Sequence, residues 1–277
     1  MRLLFKVLSF LPLVFLHGGG WVLGWVAFGL SATYRARLIA NARQAGVART
    51  SWMKSVGAAG QLVGELPRLW MGAPVRTDWV GEQYIEDALN RGKGILFLTP
   101  HLGCFEVAAQ AYASKFGQFK SPITVLFRPP RQSWLLKVVE ISRARPGLKT
   151  APTTLAGVKQ MVRALKAGEC VGLLPDQVPP EGQGEWSPFF GKKAYTMTLS
   201  VRLAAQTGAT VLFAWGERLP WGQGYRVHVH SFSQEWNARL PEALNQMNKA
   251  MESLVLRAPQ QYLWGYARYK RPRKRLS

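Results

Sequence analysis

Of the four histidines in this chain of 277 residues, one stands where chemistry would be expected. In LFLTPHLGCFEVAA, residues 96–109, an apolar run ends in Thr99-Pro100, His101 follows, and Glu106 comes five positions later. An imidazole beside a carboxylate can take the proton of a hydroxyl, the carboxylate fixing the tautomer and stabilising the imidazolium. Spacing alone is a weak signal, because His230 and Glu235 repeat it in HSFSQE. Context separates the two. His101 follows an apolar run that reads as a buried strand, and Gly103 precedes a helical pattern. His230 instead follows VHVH, with neither a glycine turn nor a helix start. Residues five apart on a regular helix diverge by about 140°, since each turns roughly 100°. The pair therefore meets only if His101 sits in the turn and Glu106 in the first helical turn, where the macrodipole keeps Glu106 ionised. The competing reading is a turn-capping histidine beside a solvated glutamate.

Cys104 lies inside the same motif and raises a rival, a thiol nucleophile activated by His101, although small apolar cysteines are common in packed cores. His228 and His230 share a strand face without a third ligand nearby, so no metal is expected. Cys104 and Cys170 make neither a disulfide framework nor a zinc cluster, and they fit a reducing compartment.

The elements that must position these residues are legible from Gly81 onward. A helix, Tyr84 to Arg91, runs into Gly92-Lys93-Gly94 and the apolar run Ile95 to Leu98. Similar runs recur at Ile123–Phe127, Val171–Leu174, Val211–Trp215 and Tyr225–Val229. Helical patterns separate most of them, at Phe105–Lys115, Trp134–Ser142, Thr154–Ala167 and Tyr195–Thr207. Strands alternating with helices predict an α/β fold, a mixed and mostly parallel sheet flanked by helices. In such sheets ligands bind beyond the carboxyl ends of the strands, which is where His101 falls.

The N-terminal block is of another kind. Val7 to Tyr34 carries no formal charge, and about 20 apolar residues suffice to cross a bilayer. His17 and Gly18-Gly19-Gly20 interrupt it, so an interfacial helix pair competes with a straight span. A cleaved signal peptide fits less well: the stretch is too long and lacks a small-residue cleavage site. Arg35, Arg37, Arg43 and Arg49 follow, which by the positive-inside rule places the body in the cytoplasm. We divide the chain into a membrane anchor (1–34), a helical connector (35–78), either lying on the membrane or buried, and a catalytic domain (79–277). Lys and Arg outnumber Asp and Glu 36 to 15, a formal charge of +21. Such an excess attracts anionic lipid, phosphorylated substrates or an acidic carrier protein. Nucleic acid is disfavoured, because no recognised module is visible and basic residues flank an apolar anchor.

Several segments, in order, carry a resemblance. ALNRGKGILFLTPHLGCFE, LFRPPRQ with Arg128, LKAGECVGLLPDQ with Asp176 and Gln177, FFGKKAYT, TGATVLFAWGERLPWGQGYRVHV with Arg218, and APQQYLWGYARYK are similar to blocks of the lipid A late acyltransferases of Gram-negative bacteria. These belong to the wider glycerolipid acyltransferase superfamily. The similarity runs from about Gly81 to Lys270. It implies an enzyme of the bacterial inner membrane that moves an acyl chain from acyl carrier protein, or from acyl-CoA, to a lipid A precursor, with no cofactor. His101 would be the base and Glu106 would orient it. Arg128 would bind the oxyanion or a phosphate and be held by Asp176; Gln177 belongs to the same substrate-binding set, and Arg218 could meet a phosphate. Cys104, Phe105 and Tyr266 depart from the residues many members carry, which leaves another lipid or glycolipid hydroxyl open as acceptor. A non-enzymatic, basic membrane-binding protein is the alternative of a different class, and no oligomeric state follows from the sequence.

Overall fold

Ile95–Leu98 (β2) is buried at every position. Ile95 and Phe97 enter one core, while Leu96 and Leu98 enter another on the opposite face. This is the expected state of an apolar strand covered by helices on both sides. A computed structural model describes residues 2–127, 145–232, 236 and 239–273. The helix expected at Trp134–Ser142, and Glu235 of the second His/Glu spacing, lie outside them.

The chain opens with five helices: α1 (Arg2–Leu8), α2 (Leu13–Leu30), α3 (Ala32–Gln44), α4 (Arg49–Gly64) and α5 (Leu66–Met71). There follow β1 (Thr77–Val80), α6 (Gln83–Asn90), β2, α7 (Phe105–Tyr112), a π-helical turn (Ala113–Gly117) and β3 (Ile123–Phe127). Beyond residue 144 come β4 (Leu148–Pro152), α8 (Leu155–Lys166), β5 (Cys170–Leu173), β6 (Gly184–Phe189), β7 (Lys192–Met197), α9 (Leu199–Thr207), β8 (Thr210–Arg218), β9 (Tyr225–Ser231) and α10 (Leu240–Arg257).

Among the described residues, seven strands form one sheet in the order β1-β9-β8-β2-β5-β3-β4. All neighbours are parallel except β8 and β9, so the sheet is mixed and mostly parallel. Helices α6 and α7 cover one face, through Ile85, Val107 and Tyr112. The other face carries α8, α9 and α10, through Met161, Leu203 and Met247. Leu38 and Ala42 of α3 and Trp52 and Val56 of α4 join that second core. The connector is thus packed into the body, and sheet pairing begins at Thr77.

The expected helix Tyr195–Thr207 needs correction. β6 and β7 form an antiparallel hairpin reaching Met197, and α9 begins only at Leu199. The two residues at its tip, Phe190 and Gly191, both have positive φ (46° and 73°), which is how a two-residue turn matches the strand twist. Tyr195 pairs with Trp186 across the hairpin, their rings 5.4 Å apart. Cross-strand aromatic pairing overrides the local helical pattern.

Candidate active site

β2 lies between β8 and β5, and the carboxyl ends of these parallel strands meet at one edge. The turn after β2 brings His101, and the turn after β5 brings Asp176 and Gln177. The pairing register, Leu98 opposite Leu173, makes residues far apart in sequence neighbours in space.

The His101 turn is pinned on both sides. The amide of Gly103 donates to the Gln261 carbonyl (3.0 Å), and the amide of Cys104 donates to that of Gly216 on β8 (2.7 Å). Gly103 has φ of 60°, and a Cβ there would stand 2.0 Å from the Gly216 oxygen. Glycine is therefore required by both backbone conformation and space. α7 starts at Phe105 and holds Glu106 in its first turn, the layout expected from the sequence.

The partner of His101 is not the expected one. Its Nδ1 lies 2.7 Å from Asp176 Oδ1, and its backbone amide donates to Asp176 Oδ2 (2.8 Å). Its Nε2 lies 2.9 Å from the side-chain amide nitrogen of Gln177. Facing a carboxylate, Nδ1 carries the proton; Nε2 then keeps its lone pair and accepts from the Gln177 amide. The ring nitrogens thus have Asp176 and Gln177 as partners, and the Glu106 carboxylate accepts from the Trp70 indole (3.4 Å). The physical reason is topological: β5 is hydrogen-bonded to β2 and delivers Asp176 to the imidazole directly. Burial works against the charge on Asp176, but His101 and Arg268 outweigh it and hold the carboxyl below its ordinary range. The Tyr262 hydroxyl also donates to Asp176 (3.2 Å). Tyr266 accepts the Val178 amide and braces the Asp176-Gln177 turn (2.9 Å).

Arg128 lies outside the described residues. The described side-chain partners of Asp176 are His101 and Tyr262. Arg218, expected among the substrate-binding residues, meets a carboxylate in this structure. It is buried, and its guanidinium forms a two-pronged pair with Glu65 (2.7 and 2.8 Å) while donating to the Gly103 carbonyl (2.9 Å). Glu65 also accepts from Tyr225 and contacts His17 Nε2 (2.9 and 3.1 Å). Burial opposes ionisation of Glu65, yet Arg218 and His17 hold its pKa down to about 2. Sequence reasoning missed Glu65. Its signal was there: it is the first acid in the chain, after 64 residues without one.

Cys104 is fully buried, and burial together with the charge of Glu65 pushes its thiol well up. Both ring nitrogens of His101 are turned elsewhere, so the geometry does not activate this thiol. His228 bonds Glu217 (2.8 Å) and stacks on Trp215, as a structural histidine would. An apolar cavity of about 50 Å³ lies between α7 and the sheet, lined by Phe97, Phe105, Tyr112, Val125 and Leu173 among others. Phe105 forms one wall and meets the His101 ring at 4.9 Å.

A strand-end imidazole with a buried carboxylate on one nitrogen and a lone pair on the other, beside an apolar cavity in an α/β sheet, defines a class. It is that of sites in which an imidazole base can take the proton of a hydroxyl. The profile of the family described as Bacterial lipid A biosynthesis acyltransferase matches residues 51–271, and the chain belongs to that family. It is 29% identical to the lipid A biosynthesis lauroyltransferase of Escherichia coli (strain K12) over 201 residues, 70% of this chain and 62% of that protein. It is 26% identical to the palmitoleoyltransferase of the same organism over 204 residues, 73% and 64% of the two chains. A lipid A biosynthesis acyltransferase of Haemophilus influenzae is 26% identical over 194 residues, 68% and 58%. The aligned region thus covers less than two thirds of each of these relatives.

Proposed function

We propose that this chain is a membrane-associated O-acyltransferase. It transfers a fatty acyl group from an acyl thioester, carried by acyl carrier protein, to a hydroxyl of a lipid A precursor. The observation that carries the reading is His101 held through Nδ1 by Asp176, which leaves Nε2 as the base. The hydroxyl proton passes to Nε2 as the oxygen attacks the thioester carbonyl. The resulting oxyanion collapses, the C–S bond breaks, and the thiolate takes the proton back from the imidazolium. A thioester is already activated, so the scheme asks for neither a metal nor a covalent enzyme intermediate. Asp176 stabilises the imidazolium while it exists. Glu106, in the first turn of α7 with Trp70 on it, is kept in this scheme as a second carboxylate.

Arg128 is our candidate for the oxyanion. It follows directly on β3, which pairs with β5 and ends at the same edge of the sheet. The apolar cavity beside Phe105 suits hydrocarbon better than sugar. The positive charge of the chain favours an acidic donor carrier and an anionic acceptor at the inner face of the bacterial inner membrane. Acyl-CoA is also acidic and is the alternative donor.

The test uses membranes containing the protein, acyl carrier protein charged with chains of several lengths, and a tetra-acylated lipid A precursor. Mass spectrometry reads the gain of one acyl chain, with His101→Ala alongside. A gain in the wild type alone is expected. Loss of thioester without a gain discards this acceptor, and no thioester loss at all favours the binding-protein reading.

A further inference from the structure

We propose that the apolar helix α2 does not cross the bilayer but lies in the plane of one leaflet, as the lipid-docking face of a monotopic protein. This rests on the membrane association proposed above, and it adds a geometry that the sequence left open.

Only one stripe of α2 is buried: Leu13, Leu16, His17, Gly20 and Gly24. The rest of its surface is also apolar. Phe15, Val22, Leu23 and Leu30 are exposed at 66%, 54%, 57% and 84%. A helix that is apolar all round but covered on one side needs a second apolar neighbour. The covered side cannot be peeled away cheaply. A Cβ on Gly24 would stand 2.2 Å from the Val56 carbonyl, and one on Gly60 would stand 1.9 Å from that of Gly20. The backbones of α2 and α4 are therefore in direct contact through glycines, and Trp52 and Val56 of α4 belong to the core of the body.

Both ends of α2 are tied to that body. At the start, a Cβ on Gly222, in the β8–β9 connection, would stand 2.4 Å from the amide nitrogen of Val14. Just past the end, the Tyr34 ring packs on Gly265, and Asn41 donates to the carbonyls of Trp264 and Tyr266 (2.7 and 2.8 Å). The 18 residues of α2 rise about 27 Å, against a hydrocarbon core of about 30 Å. A spanning α2 would thus require parts of one folded body on both sides of the membrane. Lying flat requires nothing to move.

The occupant of the exposed face is identified by charge. Residues 1–64 contain seven basic residues and no acidic one, and Lys6, Arg43, Arg49 and Lys54 are exposed. This composition fits anionic lipid headgroups around an apolar stripe. Trp221, 84% exposed and held at a φ of 58° beside the start of α2, adds an interfacial anchor from the opposite end of the chain. The arrangement also reaches the site. His17 of α2 contacts Glu65, Glu65 holds Arg218, and Arg218 holds the Gly103 carbonyl two residues from His101. The lipid-facing helix and the base are parts of one bonded unit.

The experiment fuses a protease-sensitive tag ahead of residue 1 of the full chain and introduces Thr33→Cys and, separately, Val22→Cys. Cys104 and Cys170 are buried and leave a low background. In inverted inner-membrane vesicles, the tag should be cut and the Thr33→Cys thiol labelled by an impermeant maleimide from the same side. The Val22→Cys thiol should label much more slowly until detergent is added. A tag cut only in right-side-out preparations would overturn the inference while sparing membrane association, and so would a Val22→Cys thiol as reactive as that of Thr33→Cys in a membrane-bound chain. A protein found wholly in the soluble fraction would instead remove the membrane reading itself.

Discussion

Which carboxylate serves His101 is a question for single residues. Asp176 accepts from both the backbone amide and Nδ1 of His101, so replacing it should disturb the tautomer as well as the position of the ring. His101→Ala should lower turnover by about 10²–10⁴, the usual weight of a general base. Asp176→Asn should fall in the same range, because the imidazolium has lost its counter-charge. Glu106→Gln, measured in parallel, should cost less. A silent Asp176→Asn beside a dead Glu106→Gln would mean that the ring turns to Glu106 when substrate binds. Cys104→Ala should change turnover little, since the thiol is buried and held in its neutral form. A dead Cys104→Ala enzyme with native circular dichroism would overturn direct transfer to the acceptor hydroxyl.

At the scale of elements, the Glu65–Arg218 pair joins the end of α4 to the end of β8 and to the His101 turn. Removing one member leaves the other charge buried and unpaired, which costs about 3–5 kcal/mol in comparable sites. Glu65→Gln should therefore lower the denaturant midpoint clearly, and exchange of the Gly103 and Cys104 amides should speed up with it. The pH dependence follows from the depressed carboxyl. Glu65 titrates at about 2 in the fold against an ordinary 4.5, so its contribution is complete above the ordinary value and is lost as pH falls towards 2. The wild type should lose stability across that acid window, and Glu65→Gln should show a smaller loss there. Equal acid slopes in the two proteins would contradict the assignment. The glycine contacts between α2 and α4 make a separate prediction. Gly24→Val drives side-chain atoms into the Val56 carbonyl; it should loosen α2 and, through the His17–Glu65–Arg218–Gly103 chain, disturb the His101 turn. Limited proteolysis near residue 30 reads the first effect, and turnover reads the second.

For the whole molecule, a charge of +21 acts at long range and is screened within about 8 Å at physiological salt. Raising ionic strength should lower kcat/KM for the carrier-protein thioester several-fold while changing kcat little. A short neutral thioester should show no such dependence; equal salt effects on both would place the charge in the chemistry rather than in the encounter. The alternation of apolar runs and helical patterns was enough to specify a mostly parallel sheet with helices on both faces. The same reading located His101 beyond a strand and Glu106 in a first helical turn, because strand burial and turn chemistry are local. Three things were not local. The β6–β7 hairpin depends on Trp186 finding Tyr195 across a turn. The burial of Arg218 depends on Glu65, 153 positions away. The attachment of Asp176 to His101 depends on β5 lying beside β2, an adjacency set by crossovers that no spacing in the chain records. By itself the sequence determined which groups were available and which ends of which strands would carry them. Only the tertiary structure decided which carboxylate the base would meet, because hydrogen-bonded strand order, not sequence distance, brings two turns within 2.7 Å.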